Sequence, residues 1–319
     1  MKSYNPVPIE DIRAAQDRIA DSVIRTPLIQ LNVDNGTSNI YMKLENLQLT
    51  GSFKLRGVTN AIRKASKEQL KKGVWTVSSG NTAKAVSRCA YQMGLRCTVV
   101  VADYIPENKL SAITQFGAKT IKVSMDKLMQ TLQTGRFEGM EGFFINVTDP
   151  AMMEGAGTIG LEIYEDLPDF DVVVVPYGAG GLICGIASAL RSIKPAIMIY
   201  ASEVETGAPY AASLAADEPV EVNHIPSFVD GISTPIVIPE GFSLAKSLLD
   251  GSLVSSLDEV VSAIKVIAEK NHIIAEGAGA TSVAAALSGK AGTGNVVCVL
   301  SGGNIDSNKL VKILQGQIP

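Results

Sequence analysis

One stretch of the chain, a run of apolar residues followed at once by glycines, limits the accessible folds more than any other. Val172 to Val175 are four consecutive β-branched residues, and Pro176 closes the run. Such a run predicts a strand buried on both faces, which is typical of a parallel sheet covered by helices. The loop Gly178-Ala179-Gly180-Gly181 follows and leads into Leu182 to Leu190, which is apolar enough for a packed helix. The stretch therefore predicts the strand–loop–helix unit of an α/β protein.

This glycine loop is a candidate anion site, because the free N–H groups and the positive dipole end of a helix would face the carboxyl edge of the sheet. Two other interpretations stay open. The loop could be a tight turn without a ligand, or a nicotinamide dinucleotide site with Glu203 as the ribose-binding acid. The dinucleotide fingerprint, however, requires a third glycine where this chain has Ile183. The loop predicts a phosphate site without identifying the ligand.

Size and composition bound the class of protein. With 319 residues, 46% of them hydrophobic, the chain predicts two domains of α/β type. A formal net charge of −4 gives no reason to expect nucleic acid or an anionic membrane as a partner. The uncharged stretch from Val172 to Leu190 is broken by Pro176 and glycines, so we expect no membrane span. The four cysteines lie in apolar runs without a C-x-x-C pair, and no secretory signal is recognised at Met1 to Ala15, which favours a cytoplasmic protein.

The region between residues 69 and 149 predicts a compact unit of its own. Its apolar segments alternate between strand and helix patterns, which predicts a βαβαβ unit with a parallel sheet. The predicted strands are Val74–Val77, Cys97–Val101, Thr120–Val123 and Phe143–Val147, and the predicted helices are Thr82–Met93 and Glu107–Phe116. We therefore expect a small substrate-loop domain at 69–149 and a large cofactor-binding domain at 1–68 and 150–319. Within the latter, residues 207–229 are interpreted as rich in turns.

Two further polar loops each follow an apolar strand. Ser78-Ser79-Gly80-Asn81-Thr82 provides hydroxyl, amide and N–H groups at a predicted helix start, which suits a carboxylate; the alternative is simple capping of that helix by Asn81 or Ser79. Ser301-Gly302-Gly303-Asn304 follows the predicted strand Asn295–Leu300. In open α/β folds, ligands bind at the carboxyl ends of strands. All three loops are therefore expected at the same kind of edge.

Lys54 stands at the start of a predicted helix that runs to about Ala65. It could be an ordinary solvated lysine, but a cation at this place opposes the helix dipole, which hints at a specific task. A phosphate nest, an amine that can form a Schiff base, a carboxylate cradle and a hydroxyl at a strand end together suit pyridoxal phosphate.

At this point the chain resembles a known family, the serine/threonine dehydratase and serine racemase group of pyridoxal phosphate enzymes, which have fold type II, the tryptophan synthase β-like fold. The resemblance covers nearly the whole chain and depends on an ordered set of motifs. These are Ser52-Phe53-Lys54-x-Arg56-Gly57, Ser78-Ser79-Gly80-Asn81, Gly155-x-Gly157-Thr158, Gly178-Ala179-Gly180-Gly181-Leu182, Asp230-Gly231, Glu276 to Gly279 and Ser301-Gly302-Gly303-Asn304.

The resemblance implies two open, twisted, mostly parallel sheets with flanking helices and an active site between a large and a small domain. It also implies roles for individual residues. Lys54 would bind the cofactor covalently, Phe53 would pack beside its ring, and Asn81 would bind the ring hydroxyl. The phosphate would lie on residues 178–182, with Ser301 at the pyridine nitrogen and Glu276 also in the cofactor site. The substrate would lie on residues 78–82, which are Ser78, Ser79, Gly80, Asn81 and Thr82.

The implied activity is that of a lyase, which converts a small β-hydroxy amino acid such as L-threonine or L-serine into a 2-oxo acid and ammonia. Lys54 would take the Cα proton, for which its pKa must be lowered by a dry site. Ser301 is neutral, so the ring is a weaker electron sink than one that faces an aspartate. The family resemblance further suggests a homodimer.

Departures from the family pattern keep alternatives open. The loop continues Asn81-Thr82-Ala83 where the family usually has Asn-His-Gly, which raises cysteine-synthase-like β-replacement as an alternative. Ser79 matches the second acid/base of the racemases, so amino acid racemisation is another. We do not predict a divalent metal: Glu203 matches one ligand of the racemase branch, but Pro209 stands where a second acid is expected. A nicotinamide-dependent oxidoreductase or a binding protein without chemistry represents a different class.

Overall fold

A computed structural model describes residues 4–34, 36 and 38–319 of the chain, and their strands form two separate sheets. The described strands of the larger sheet are β1 (Leu28–Gln30), β2 (Ser38–Leu44), β7 (Val172–Pro176), β8 (Met198–Val204), β9 (Gly251–Ser255) and β10 (Gly294–Leu300). Those of the smaller sheet are β3 (Val74–Val77), β4 (Cys97–Ala102), β5 (Lys119–Val123) and β6 (Phe143–Phe144). The predicted pair of mostly parallel sheets is confirmed.

Helices connect these strands. In the first half of the chain they are α1 (Ile9–Ile19), α2 (Lys54–Lys64), α3 (Lys67–Leu70), α4 (Asn81–Gln92), α5 (Glu107–Thr114), α6 (Met125–Thr134) and α7 (Pro150–Asp166). In the second half they are α8 (Gly181–Ile193), α9 (Pro209–Ala216), α10 (Pro239–Leu248), α11 (Leu257–Asn271), α12 (Gly277–Leu287) and α13 (Ser307–Leu314). None of the helices that the described residues form has the length and apolar character of a membrane crossing.

The larger sheet has the order β1-β2-β10-β7-β8-β9, in which β1 pairs antiparallel with β2 and the other pairs are parallel. Strand β7 lies inside this sheet and is buried along its length. Val173 and Val175 pack in the apolar core with α7 and α8, whereas Val172 and Val174 pack in a second core with α11 and α12. Burial on both faces explains why this strand is a continuous valine run rather than an alternating pattern.

The smaller sheet has the order β5-β4-β3-β6 and is parallel throughout. The predicted βαβαβ unit is confirmed, although β6 pairs only at Phe143 and Phe144 and is shorter than the predicted strand 143–147. One face of this sheet packs against α4 and α2, and the other face packs around Trp75 and α6. Helix α2 also packs against α7, so it lies between the two sheets.

The interpretation of residues 207–229 as rich in turns is wrong in part, because α9 occupies Pro209–Ala216. The start of α9 is held by a side chain of the preceding strand, β8, rather than by its own cap. The Glu203 carboxylate on β8 accepts hydrogen bonds from the backbone N–H groups of Tyr210 and Ala211, both at 2.8 Å. A local sequence pattern does not reveal this support.

A buried group of paired charges fixes α2 in the fold. Arg56 on α2 binds the carboxylates of Glu45 and Glu162, with N–O distances of 2.8 and 2.6 Å, and Lys43 on β2 binds Glu162 at 2.7 Å. All four side chains are almost completely buried. These residues, Lys43, Glu45, Arg56 and Glu162, are called the ionic cluster below. Because Glu162 belongs to α7, the ionic cluster connects three elements at the base of the segment that carries Lys54.

Candidate active site

A cavity of about 700 Å³ lies between the two sheets, at the carboxyl ends of β3, β4, β7 and β10. Every site residue predicted from the sequence lines it, namely Phe53, Lys54, Ser78, Ser79, Gly80, Asn81, Thr82, Gly178, Ala179, Gly180, Gly181, Leu182, Glu276 and Ser301. The residues converge although they are spread over most of the chain. The convergence follows from the topology, since parallel strands direct their following loops to one edge.

Lys54 is the first residue of α2 and extends its amine into the cavity, 4.8 Å from the centroid of the Phe53 ring. Its position is fixed from β10, because the Phe53 N–H donates to the Ser301 carbonyl at 3.0 Å. Burial lowers the pKa of Lys54 from 10.5 to about 8, and the more distant charge of Glu276 opposes this shift only partly. A lysine that acts as a base near neutral pH needs such a lowered pKa.

The glycine loop runs from β7 into α8 and changes direction at Gly180, where φ is +82°, in the left-handed region that favours glycine. Among the described residues, no side chain caps α8 at this end. The first hydrogen bond within the helix is donated by Cys184 to the Gly180 carbonyl, so the preceding N–H groups of α8 are available to a ligand. An uncapped helix start behind a glycine loop fits a phosphate group.

The loop of residues 78–82 has a similar geometry at the start of α4. Gly80 is the N-cap, and within the described part of the chain no side chain caps the helix there. The interpretation of Asn81 or Ser79 as a mere cap is therefore wrong. The Gly80 N–H donates to the Ser78 Oγ at 3.2 Å, which shapes the loop. The first N–H groups of α4 and the neighbouring hydroxyls form an anion cradle at the cavity wall.

Asn81, Glu276 and Asn304 form a hydrogen-bonded triangle beside this loop. The Asn81 Nδ2 donates to the Glu276 Oε1 at 2.8 Å, the Asn304 Nδ2 donates to the Asn81 Oδ1 at 2.8 Å, and the Asn304 backbone N–H donates to the Glu276 Oε2 at 3.1 Å. Burial raises the pKa of Glu276 to about 7, although the hydrogen bond from Asn81 lowers it. Glu276 therefore changes its charge near neutral pH.

The remaining wall is mostly apolar and is formed by α5, α6 and the loop between β4 and α5, none of which was predicted to contribute to the site. It includes Ile105, Ala112, Ile113, Met125 and Leu128. Two polar contacts span the mouth of the cavity above it: Lys109 pairs with Asp230, and Asn108 donates to Asp306, both at 3.0 Å. Lys84 and Asn304 also line the cavity without having been singled out as site residues. Lys84 could have been found from its spacing, because it lies three residues after Asn81 on one helix.

Glu203 does not belong to this cavity. Besides the two N–H groups of α9, its carboxylate accepts a hydrogen bond from the Ser252 hydroxyl at 2.6 Å, and burial raises its pKa. The interpretation of Glu203 as a ribose-binding acid is therefore wrong. The residues that the structure describes contain no group of three or more His, Cys, Asp or Glu side chains suited to a metal ion. The side chains around Glu203 do not fit a divalent metal site.

Comparison with known proteins connects this geometry to a family. The family model described as "Pyridoxal-phosphate dependent enzyme" matches residues 19–302. The chain belongs to this family. The residues of the cavity have the chemistry that the cofactor needs: the uncapped start of α8 suits a phosphate group, and the Lys54 amine suits an aldehyde.

Relatives and solved structures narrow the comparison. The chain is 37% identical to the L-threonine ammonia-lyase of Thermotoga maritima over 97% of this chain and 78% of that protein. It is 35% identical to a putative threonine dehydratase of Sinorhizobium fredii over 100% of this chain and 98% of that protein. Maize serine racemase has a TM-score of 0.87 and 29% identity, and covers 98% of both chains. The processed threonine deaminase isoform 2 of Solanum lycopersicum has a TM-score of 0.87 and 30% identity over 97% of this chain and 86% of that one.

Proposed function

We propose that the chain is a pyridoxal-phosphate-dependent lyase that converts a small β-hydroxy amino acid into a 2-oxo acid and ammonia. The observation that carries the proposal is the meeting of Lys54, whose pKa is lowered to about 8, with the uncapped starts of α4 and α8 in one cavity. A reactive amine, a carboxylate cradle and a phosphate site are what this reaction requires of the protein. Relatives named threonine ammonia-lyase and threonine dehydratase support the same reaction.

The protein residues divide the work of binding and proton transfer. When bound, pyridoxal phosphate supplies an electron-withdrawing ring that, once joined to the substrate amine, weakens the Cα–H bond. Residues 178–182 would hold the phosphate, the Asn81 amide would donate to the ring hydroxyl, and residues 78–82 would hold the substrate carboxylate. The Lys54 Nζ takes the Cα proton, because its lowered pKa leaves a neutral fraction at neutral pH. The Cα proton and the β-hydroxyl leave together as one water, and one water then hydrolyses the released enamine to the 2-oxo acid and ammonia.

Ser79 and Ser301 would tune this chemistry from two places in the cavity. The Ser301 hydroxyl would meet the ring nitrogen and, being neutral, would not hold a proton there as firmly as an aspartate would. Ser79 provides a second hydroxyl that could exchange the Cα proton, which keeps amino acid racemisation as the alternative activity. The fold similarity to maize serine racemase supports that alternative.

L-Threonine is the substrate we propose. Because the wall formed by Ile113, Met125 and Leu128 is apolar, it suits the methyl group of threonine better than a hydrogen atom or a charged substituent. The relatives named for threonine point to the same substrate.

We also propose the assembly and setting of the enzyme. Residues 69–149 would form a small domain, and residues 1–68 and 150–319 a large one, with the cavity between them. Two copies would form a homodimer in the cytoplasm. Neither nucleic acid nor a membrane is a proposed partner, because the net charge is −4 and the described helices are not membrane-spanning.

The test is an assay of purified, cofactor-loaded protein with L-threonine, L-serine and O-acetylserine plus sulfide. We expect 2-oxo acid and ammonia in equal amounts, with kcat/KM higher for L-threonine than for L-serine. Lys54→Ala is the control, since it keeps the phosphate site and removes the amine. Cysteine from O-acetylserine, without 2-oxo acid from either hydroxy amino acid, would contradict the proposal in favour of β-replacement.

A further inference from the structure

Three lysines line the cavity, and the proposed reaction uses only one of them. Lys54 is the proposed base, and Lys109 is paired with Asp230 at the mouth. Lys84 is half-buried on α4 and belongs to none of the ion pairs found among the described residues. Instead its Nζ donates a hydrogen bond of 2.9 Å to the Asn304 Oδ1. A lysine that binds an amide within a cofactor cavity calls for an explanation.

The hydrogen bonds that start at Lys84 run in a single direction. An ammonium group can only donate, so the Asn304 oxygen must face Lys84 and the Asn304 amide nitrogen must face away. That nitrogen donates to the Asn81 Oδ1 at 2.8 Å, which turns the Asn81 amide nitrogen toward Glu276. Each partner therefore determines the orientation of the next one.

Asn304 transmits this orientation because it is held from several sides. Its second amide hydrogen is donated to the Thr50 carbonyl at 2.8 Å, and its backbone N–H binds Glu276. A Cβ atom at Gly51, whose φ is +74°, would lie within 3.0 Å of the Asn304 side-chain amide, so the amide packs closely against a backbone position that only glycine can occupy. A reversed Asn304 amide would place its NH₂ against Lys84 and its oxygen against the Thr50 carbonyl, and both contacts are repulsive.

The result at Asn81 is one N–H hydrogen that has no hydrogen-bond partner among the residues that the structure describes. The Asn81 oxygen accepts from Asn304, and one hydrogen of its Nδ2 is donated to Glu276. The second hydrogen is available to an acceptor in the cavity. In the reversed orientation, Asn81 would present a lone pair there instead, and would no longer donate to an acceptor in the cavity.

We propose that Lys84 is a positioning residue that acts through Asn304 to hold the Asn81 amide with an N–H donor ready for the ring hydroxyl of the cofactor. The proposal depends on the cofactor contact proposed above for Asn81. Lys84 and the Thr50 carbonyl select the same orientation of Asn304, so the loss of Lys84 weakens the selection without abolishing it.

The test uses the holoenzyme without substrate, so that turnover plays no part in the readout. Lys84→Met keeps the length of the side chain and removes the donor. We expect about a three- to tenfold weaker affinity for pyridoxal phosphate, as for the loss of one hydrogen bond, and a changed pH dependence of the visible absorption of the bound cofactor. Lys84→Arg keeps a cationic donor and is expected to restore both.

Two further variants separate positioning from a general effect of charge. Asn304→Asp replaces the amide nitrogen that faces Asn81 by an acceptor, and we expect it to change the absorption in the same direction as Lys84→Met and by a larger amount. Lys109→Met is the matched control, because it removes another lysine of the cavity that is not bonded to Asn304. We expect this control to leave the substrate-free absorption as in the wild type.

Two results would overturn the proposal. In the first, Lys84→Met leaves cofactor affinity and absorption unchanged and raises only the KM for the amino acid, which would make Lys84 a direct ligand of the substrate carboxylate. In the second, Lys109→Met changes the absorption as much as Lys84→Met does. The change would then be caused by the loss of a positive charge in the cavity and not by the orientation of Asn81. A holoenzyme that binds the cofactor but forms no 2-oxo acid would contradict the proposed reaction and leave this test intact.

Discussion

Arg56 and Lys54 lie two residues apart on α2, yet Arg56 is paired with carboxylates and Lys54 is not. In the ionic cluster, Arg56 faces two carboxylates, and its guanidinium nitrogens bind Glu45 and Glu162 bidentately. In the cavity, Lys54 forms none of the ion pairs found in the described part of the chain, and burial lowers its pKa to about 8. A buried cation that is paired with carboxylates keeps its charge, whereas a buried amine without such a partner loses its proton readily.

The difference shows how one short motif can supply both rigidity and reactivity. A buried bidentate arginine is fixed by several charge-assisted hydrogen bonds, so Arg56 anchors the first turns of α2 to α7 and to the segment that follows β2. The lysine at the start of the same helix extends into the cavity, where it belongs to none of the ion pairs found among the described residues and burial lowers its pKa. The ionic cluster around Arg56 therefore holds the helix that carries Lys54 in position.

The largest effect is expected when the reactive side of this comparison is removed. Lys54→Met should reduce turnover by roughly 10⁴-fold, since both the cofactor attachment and the base for the Cα proton are lost. The variant should still fold, because Lys54 does not belong to the ionic cluster. Steady-state 2-oxo acid formation measures the loss, and circular dichroism measures the fold. Turnover within tenfold of the wild type would remove Lys54 from the mechanism.

The structural side of the comparison is tested by Arg56→Met. This change leaves two buried carboxylates without their partner, so we expect the free energy of unfolding to fall by about 3–5 kcal/mol. Denaturant titration of the cofactor-free protein measures the change. Arg25→Met is the matched control: Arg25 also binds two carboxylates, Glu165 and Asp166, but it is half exposed, and its loss should change the free energy by about 1 kcal/mol or less. Equal effects of the two changes would contradict the contrast between buried and exposed pairs.

The smallest effect concerns the pH dependence of stability in the cofactor-free protein. The pKa of Lys54 is lowered from 10.5 to about 8 by burial, so between these pH values the unfolded state binds more protons than the folded state. Lys54 therefore makes stability rise with pH in this window. Lys54→Met should flatten this rise, as measured by unfolding midpoints at pH 7.5, 9 and 10.5. A variant whose midpoints follow the same slope as the wild type would show that the Lys54 amine is not desolvated.

The sequence predicts the parts of this molecule whose signals are local. The valine run of β7 and the strand–helix alternation between residues 74 and 123 follow from periodicity, and the three loops follow from their place after apolar strands. The motif order placed the fourteen predicted residues in one cavity because parallel strands share a carboxyl edge. Strand periodicity and the order of the motifs do not indicate which side chains form hydrogen bonds with one another at that edge.

The missed features depend on contacts between distant segments. Lys84 and Asn304 are 220 residues apart in the sequence, and their hydrogen bond is set by how α4 approaches the end of β10. Helix α9 begins where Glu203, from a different element, binds its first N–H groups. The apolar wall of Met125 and Leu128 comes from α6, for which the sequence analysis made no prediction.

The most direct test of the central claim is to locate the lysine that binds the cofactor. Purified holoenzyme is reduced with borohydride, digested and mapped by mass spectrometry. Because burial lowers the pKa of Lys54 to about 8, whereas Lys84 and Lys109 are bonded to Asn304 and Asp230, we predict that the phosphopyridoxyl group is found on Lys54. Modification of Lys84 or Lys109 with Lys54 unmodified, or a protein that takes up no pyridoxal phosphate at all, would contradict the account.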